Sequence, residues 1–319
     1  MKKVIVTGAA GFIGFHLAKA LTGRGDTVIG IDNFNSYYSP ELKKMRANLL
    51  EKEQIELVKA DLCDPHTLLN AIQKHKPTHI VHLAAQAGVR YSTENPAAYV
   101  DSNVHAFLNV LEACRAHVDI PLIFASSSSV YGTNTKVPFS EKDLTDHPAS
   151  FYGATKKANE LMAYSYHHMY GVKATALRFF TVYGPWGRPD MAYYSFSECI
   201  SKGEPIKIYN HGNMTRDFTY IDDIIDGVLA AVDLGSSWEV FNLGNHSPVK
   251  LMEMIELLEK LLDKPAKKKY VEMQTGDVLT TYADISHSNE RLGFSPKVSI
   301  TEGLTKFIDW YRYFITSCK

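Results

Sequence analysis

Tyr152 and Lys156 stand four residues apart in Tyr152-Gly153-Ala154-Thr155-Lys156. On a helix that spacing puts a phenol and an ammonium on one face. A tyrosine with an ordinary pKa of about 10 is a poor base at neutral pH, and a nearby cation favours its phenolate. Upstream, the apolar run Leu122-Ile123-Phe124-Ala125 ends in Ser126-Ser127-Ser128-Ser129, followed by Val130-Tyr131-Gly132. Hydroxyls at the end of a strand can hydrogen-bond the oxygen whose proton such a phenolate removes. The chemistry on offer is proton abstraction from a hydroxyl. Helices carry Tyr–Lys pairs by chance, so the weight of this one rests on the elements around it.

Those elements begin at the amino terminus. Lys3-Val4-Ile5-Val6-Thr7 is short, apolar and β-branched and stops at a glycine, which suits a central parallel strand. Gly8-Ala9-Ala10-Gly11-Phe12-Ile13-Gly14 follows, and Phe15 to Arg24 reads as a helix. Glycines there permit a tight turn, close approach to a pyrophosphate and close helix–strand packing, while the helix start offers free N–H groups to phosphate. A second strand, Thr27-Val28-Ile29-Gly30-Ile31-Asp32, ends in a carboxylate at the interval where an acid meets an adenosine ribose. Its neighbours Asn33 and Phe34 are not basic, which favours NAD over NADP.

The alternation continues. Ile55-Glu56-Leu57-Val58 leads to Asp61-Leu62, and Thr78-His79-Ile80-Val81-His82-Leu83 leads to Ala84-Ala85, with a helix from Asp64 to Lys76 between them. The small residues Ala84, Ala85 and Ala87 admit a flat ligand or simply pack closely. Asn95-Pro96 opens a long helix through Ala116, and Lys173 to Phe180 reads as a further strand. This pattern predicts an α/β fold, a Rossmann-type doubly wound parallel sheet, over residues 1–180. The cofactor group is Gly8, Gly11, Phe12, Ile13, Gly14, Asp32, Asn33, Asp61, Leu62, Leu83, Ala84 and Ala85, with Tyr152 and Lys156 beyond them.

Past Phe180 the character changes. Thr181 to Met191 is turn-rich and is expected to form no regular element. Helices are expected at Tyr193–Lys202, Asp222–Leu234, Leu251–Leu261 and Ser299–Phe314, with strands at Ile206–Tyr209 and Val240–Leu243. Residues 181–319 read as a smaller C-terminal α/β substrate lobe, parts of 215–245 returning to the first domain.

Bulk properties narrow the partners. The 319 residues carry a net charge of −1 and are 45% hydrophobic, so no electrostatic case exists for nucleic acid or an anionic membrane. The basic run Lys267-Lys268-Lys269 reads as a solvated loop. Cys63, Cys114, Cys199 and Cys318 are widely spaced, which points to free, mostly buried thiols in a reducing compartment. The first strand leaves no room for a signal peptide and no apolar run reaches spanning length, so a cytoplasmic protein is expected. His79 and His82 lack metal-ligand company, and His167-His168 point about 100° apart on a helix, so no metal is expected.

Together, Gly8-x-x-Gly11-x-x-Gly14, Asp32, the serines before Val130-Tyr131-Gly132 and Tyr152-x-x-x-Lys156 resemble the extended short-chain dehydrogenase/reductase family over essentially the whole chain. Arg178 to Met191 (RFFTVYGPWGRPDM), Gln86 to Ser92 and Asp32 to Tyr38 resemble its UDP-glucuronate 4-epimerases.

The resemblance implies that Tyr152 takes the proton of a UDP-sugar 4-hydroxyl while C4 gives hydride to tightly held NAD. Ser127 bridges the 4-oxygen and Tyr152, and Lys156 binds the nicotinamide ribose and lowers the tyrosine pKa. The 4-keto sugar turns about its diphosphate and takes the hydride back on its other face. A 4-ketone beside a C5 carboxylate is a β-keto acid prone to lose carbon dioxide, so the carboxylate must be held. Ser127, Ser128, Thr181, Arg188 and Arg90 are the candidates for holding it. Related decarboxylases have Glu at the position of Ser129, and related 4,6-dehydratases have Asp-Glu at Ser128-Ser129. Galactose-type epimerases have Asn-Pro at Thr181-Val182. Each departure favours UDP-glucuronate and UDP-galacturonate, with a UDP-glucose or UDP-GlcNAc epimerase and a decarboxylase as alternatives. A catalytically idle NAD-sensing scaffold would need none of Ser127, Tyr152 and Lys156. Arg216 matches a diphosphate ligand, its simpler reading being an ion pair with Asp217, and Asp277 matches a uridine-ribose contact, although Thr275 and Leu279 stand where the family has proline. The family also implies a homodimer through helices at Pro96–Ala116 and Tyr152–Tyr170, for which Phe107, Leu108, Leu111, Leu161 and Met162 are apolar candidates.

Overall fold

The computed structural model describes residues 1–317. Its strands are β1 (Lys3–Thr7), β2 (Thr27–Asp32), β3 (Glu56–Lys59), β4 (His79–His82), β5 (Leu122–Ser127) and β6 (Ala174–Phe179). Then come β7 (Thr181–Tyr183), β8 (Pro205–Tyr209), β9 (Thr215–Tyr220), β10 (Trp238–Leu243), β11 (Pro248–Lys250) and β12 (Lys267–Val271). Seven strands form one parallel sheet in the order β10-β6-β5-β4-β1-β2-β3. Its winding reverses between β1 and β4, and a crevice opens there at the strands' carboxyl ends. Alternation along β1 buries Val4 and Val6 with Phe15 and Ile224 on one face, and Ile5 with Phe107 and Leu111 on the other. Helices therefore cover both faces, and the fold is Rossmann-type. β10 crosses back into this sheet, Trp238 lying opposite Ala174 of β6.

Several elements differ from the sequence reading. Thr181–Tyr183 is a strand, because Thr181 pairs with Phe218 of β9 in a three-stranded sheet of order β11-β9-β7. Local turn residues could not reveal a pairing partner so distant in sequence. Lys267–Lys269 lies in β12, which pairs with β8; lysines solvate this exposed edge rather than a loop. The long helix expected from Pro96 is interrupted by a π-helical turn, Val100–His105, between helices Pro96–Tyr99 and Ala106–Arg115. That turn aims Asn103 inward. Its Oδ1 accepts from Gln86 N at 2.8 Å, its Nδ2 donates to Gln86 O and Thr155 Oγ1, and its carbonyl accepts from Asn159 Nδ2. The loop after β4 is thereby tied to the helix Phe151–Tyr170.

A helix the sequence reading lacked spans Pro40–Lys52, and its buried face is Leu42, Lys43, Arg46, Ala47 and Leu50. Two charges on that face break the apolar periodicity by which an amphipathic helix is recognised. Of the thiols, Cys114 alone is buried; Cys63 and Cys199 are partly exposed, and Cys318 lies outside the described residues. Phe107 and Leu111 belong to the chain's own core, whereas Leu108 and Leu161 are exposed. No helix among the described residues is long and apolar enough to cross a membrane.

Candidate active site

The crevice at the sheet's switch point is a cavity whose walls come from the ends of β1, β2, β4, β5 and β6. At one end the backbone itself is the binding surface. Gly8 has φ +71°, and a Cβ there would sit 2.8 Å from Ala84 N, so only glycine fits between β1 and the loop after β4. Gly11 starts the helix Phe12–Gly23 without a capping side chain, leaving the first-turn N–H groups to a ligand. Gly8, Gly11, Phe12, Ile13 and Gly14 all line the cavity. Asp32 is fixed by Ala10 N at 3.0 Å and Phe34 N at 2.8 Å, and Asn33 donates to Asp61 at 3.0 Å. Leu62 and Leu83 to Ala85 complete this wall. An uncapped helix start facing a buried acid fits the pyrophosphate and adenosine ribose of NAD.

Ser127, Tyr152 and Lys156 line the other end of the same cavity. The Ser127 hydroxyl lies beside the Tyr152 phenol and donates to Ser129 Oγ at 3.2 Å. Burial pushes the Tyr152 phenol above its ordinary range, against the opposing pull of the Ser127 hydroxyl and the Arg188 charge. Lys156 Nζ donates to Ala125 O at 2.9 Å, and burial pushes its pKa down to about 8. A positive charge beside the phenol, from Lys156 or an oxidised nicotinamide, favours the phenolate against the cost of burial. His82 is neutral, pushed down to about 3 by burial and bonded to Thr7 Oγ1 at 2.8 Å.

Beneath these residues lies a closed polar network. Glu160, two turns after Tyr152, accepts from Ser126 Oγ at 2.6 Å and from Arg178 Nε and Nη2, each at 2.8 Å. Arg178 also donates to Tyr131 Oη at 3.0 Å. The strand end that carries the serines is thereby bolted to the helix that carries Tyr152.

The remaining sites expected from the sequence fall in two groups. Arg188 lines the cavity, and its guanidinium is paired with Asp190. Ser128 and Thr181 are half-buried and follow or precede the lining residues Ser127 and Val182 in the chain. Arg90, Arg216 and Asp277 gather elsewhere. Arg90 pairs with Asp277 at 3.5 Å and stacks 4.2 Å from the centre of the Tyr209 ring. Arg216 donates to Thr215 O at 2.9 Å and Leu279 O at 3.0 Å, and burial lowers its pKa while Asp277 opposes this. Asp217 is buried and accepts from Asn245, His246 and Ala283 N–H groups instead. Neighbours on a strand face opposite ways, which excludes the Arg216–Asp217 pair.

Residues 4–244 match the NAD dependent epimerase/dehydratase family. The chain belongs to that family. It is 51% identical over 334 residues to UDP-glucuronate 4-epimerase 4 of Arabidopsis thaliana, covering 99% of this chain and 76% of that protein. The crystal structure of a UDP-glucuronic acid 4-epimerase from Bacillus cereus with UDP-glucuronic acid and NAD superposes with a TM-score of 0.92 at 36% identity, over 98% of this chain and 99% of that one. A Thermotoga maritima UDP-glucose 4-epimerase with UDP-glucose has a TM-score of 0.90 at 31% identity, covering 98% and 99%.

The sequence reading missed Lys43 of this epimerase/dehydratase cavity and, outside its lining, Arg46, the two buried cations of the helix Pro40–Lys52. Lys43 lines the cavity, and its Nζ donates to Asn35 O at 2.8 Å and Asn35 Oδ1 at 2.6 Å. Arg46, fully buried, donates to Ala10 O at 2.9 Å and Trp186 O at 2.6 Å, joining the glycine turn to the loop before Arg188. The signal was present as cations at helical spacing, but a helix with charges facing in has no apolar stripe to mark it.

Proposed function

We propose that this chain is an NAD-dependent UDP-glucuronate 4-epimerase, an isomerase interconverting UDP-glucuronate and UDP-galacturonate through a 4-keto sugar. The observation that carries this reading is that Arg188 lines the same cavity as Ser127, Tyr152 and Lys156. A carboxylate beside the reacting carbon thus has a cation to meet. NAD, when bound, supplies the acceptor for the C4 hydride and the donor that returns it to the opposite face. Tyr152 takes the proton of the 4-hydroxyl, and the Ser127 hydroxyl bridges the two oxygens. Lys156, as a cation under the site, favours the phenolate and meets the nicotinamide ribose. We assign the sugar carboxylate to Arg188 with Ser128 and Thr181. Arg216, Arg90 and Asp277 form a group with a net positive charge, suited to the diphosphate and uridine ribose about which the keto sugar turns.

We further place residues 1–180 in a cofactor domain and 181–319 in a sugar-nucleotide lobe, with β10 returned to the first because it pairs with β6. Leu108 and Leu161, exposed on the helices Ala106–Arg115 and Phe151–Tyr170, support a homodimer through those helices; a monomer mass in solution scattering would oppose it. The cytoplasm is the proposed location. The deciding experiment is proton NMR of the purified protein with UDP-glucuronate and no added NAD. UDP-galacturonate is the expected product. UDP-pentose would replace the reading with a decarboxylase, and conversion of UDP-glucose alone would replace the substrate.

A further inference from the structure

Arg188 presents a guanidinium of which one edge is already used. Its Nε donates to Asp190 Oδ1 at 3.0 Å and its Nη2 to Asp190 Oδ2 at 2.5 Å. Two parallel bonds of this kind fix the guanidinium plane as well as its position. Tyr37, from the segment after β2, donates its hydroxyl to the same Oδ2 at 3.1 Å. Burial works against the Asp190 charge, but the Arg188 cation and the Tyr37 hydroxyl hold its carboxyl below the usual range. The backbone is held as well. Arg46 Nη2 donates to Trp186 O at 2.6 Å and Gly187 O at 3.2 Å, and His16 Nε2 meets Pro185 O at 2.9 Å. The edge facing the cavity is thus set before any anion arrives. An exposed ion pair of ordinary geometry contributes little, but a two-bond pair with a third donor behind it is a different object.

We propose that Asp190 and Tyr37 are positioning residues for Arg188, which fix the plane of its guanidinium and so the plane of the substrate carboxylate beside the 4-keto carbon. This rests on the epimerase reading above. The reaction so suppressed is loss of C6 from the keto intermediate. The C5–C6 bond breaks, its electron pair passes into the C4 carbonyl as an enolate, C6 leaves as carbon dioxide, and C5 takes a proton. The hydride removed from C4 in the first step then reduces the 4-keto pentose, so no outside oxidant or reductant is needed. Cleavage requires the C5–C6 bond to align with the carbonyl π system. A guanidinium free to swivel allows that alignment, and one locked by Asp190 does not.

The test compares Asp190→Ala and Tyr37→Phe with the unaltered protein, each given UDP-glucuronate and followed by proton NMR. The readout is the ratio of UDP-pentose to UDP-galacturonate, which is counted per turnover and does not depend on the fraction of protein folded. In Asp190→Ala the ratio and the KM for UDP-glucuronate each rise about tenfold, the cost of one charge-assisted interaction. In Tyr37→Phe the ratio rises in the same direction by about threefold, as for one neutral hydrogen bond. An unchanged ratio in Asp190→Ala overturns the inference and leaves the epimerase reading intact. Should that variant not fold, an unchanged ratio in the near-isosteric Tyr37→Phe does the same. An unaltered protein that forms no UDP-galacturonate removes the epimerase reading and this inference with it.

Discussion

Arg178 and Arg216 both lie in strands and are used in opposite ways. Arg178 is 3% exposed and meets a counter-ion built into the fold, Glu160, through two bonds of 2.8 Å. Arg216 is half-buried and donates to the carbonyls of Thr215 and Leu279. The neighbouring carboxylate, Asp277, bonds to Arg90 instead. A buried cation with its own carboxylate is a structural part, because removing either partner strands a charge in a poor solvent. A cation set on backbone acceptors keeps its charge for an anion that comes and goes. The floor under Tyr152 is therefore a closed ion-pair network, while the Arg216 group, the proposed nucleotide end, holds two cations to one carboxylate.

The sharpest way to test the closed end is to remove its working atom. Tyr152→Phe keeps the ring and loses the hydroxyl, and turnover of UDP-glucuronate should fall by about 10²–10⁴-fold with NAD still bound. A fall of less than about tenfold would leave another group as the base. Next, Glu160→Ala strands Arg178 and should cost roughly 3–5 kcal/mol of unfolding free energy by denaturant titration. Adding Arg178→Met should recover part of that loss; if the double variant is worse than the single, the pair is not the unit described.

At the proposed nucleotide end, Arg216→Ala should raise KM for UDP-glucuronate and UDP-glucose alike by about 10–100-fold, the worth of one charged hydrogen-bonding group. A fall in kcat with KM unchanged would place Arg216 with the chemistry and erase the contrast. The smallest effect concerns pH. Burial depresses Lys156 from 10.5 to about 8, so between those values the unfolded chain binds more protons and stability rises with pH. Below about pH 8 both states hold the proton and the cost of burying it is fully present. Lys156→Met should flatten that rise in unfolding free energy, and an unaltered slope would mean that the ammonium is solvated.

Much of the fold was legible because short parallel strands ending in glycine or small residues repeat along the first half of the chain. The catalytic end was legible for the same reason: a Tyr–Lys spacing and a glycine turn are local. The resemblance offers Arg216 and Asp277 for the nucleotide and Arg90 for the sugar carboxylate, but it carries no sign that Arg90 and Asp277 pair with each other. The helix Pro40–Lys52 escaped because Lys43 and Arg46 face inward, and β7 because its partner β9 lies far along the chain.

The amino-acid sequence by itself determined which atoms share a face and where the backbone must turn, since backbone dihedrals and side-chain period are set within a few residues. Only the tertiary structure decided that Tyr37 would reach Asp190, that Arg46 would clamp the loop before Arg188, and that Arg90 would meet Asp277. Those pairings depend on which remote segments pack together and on how far each charge is removed from water. Both are properties of the whole molecule and are not marked at any one position along the chain.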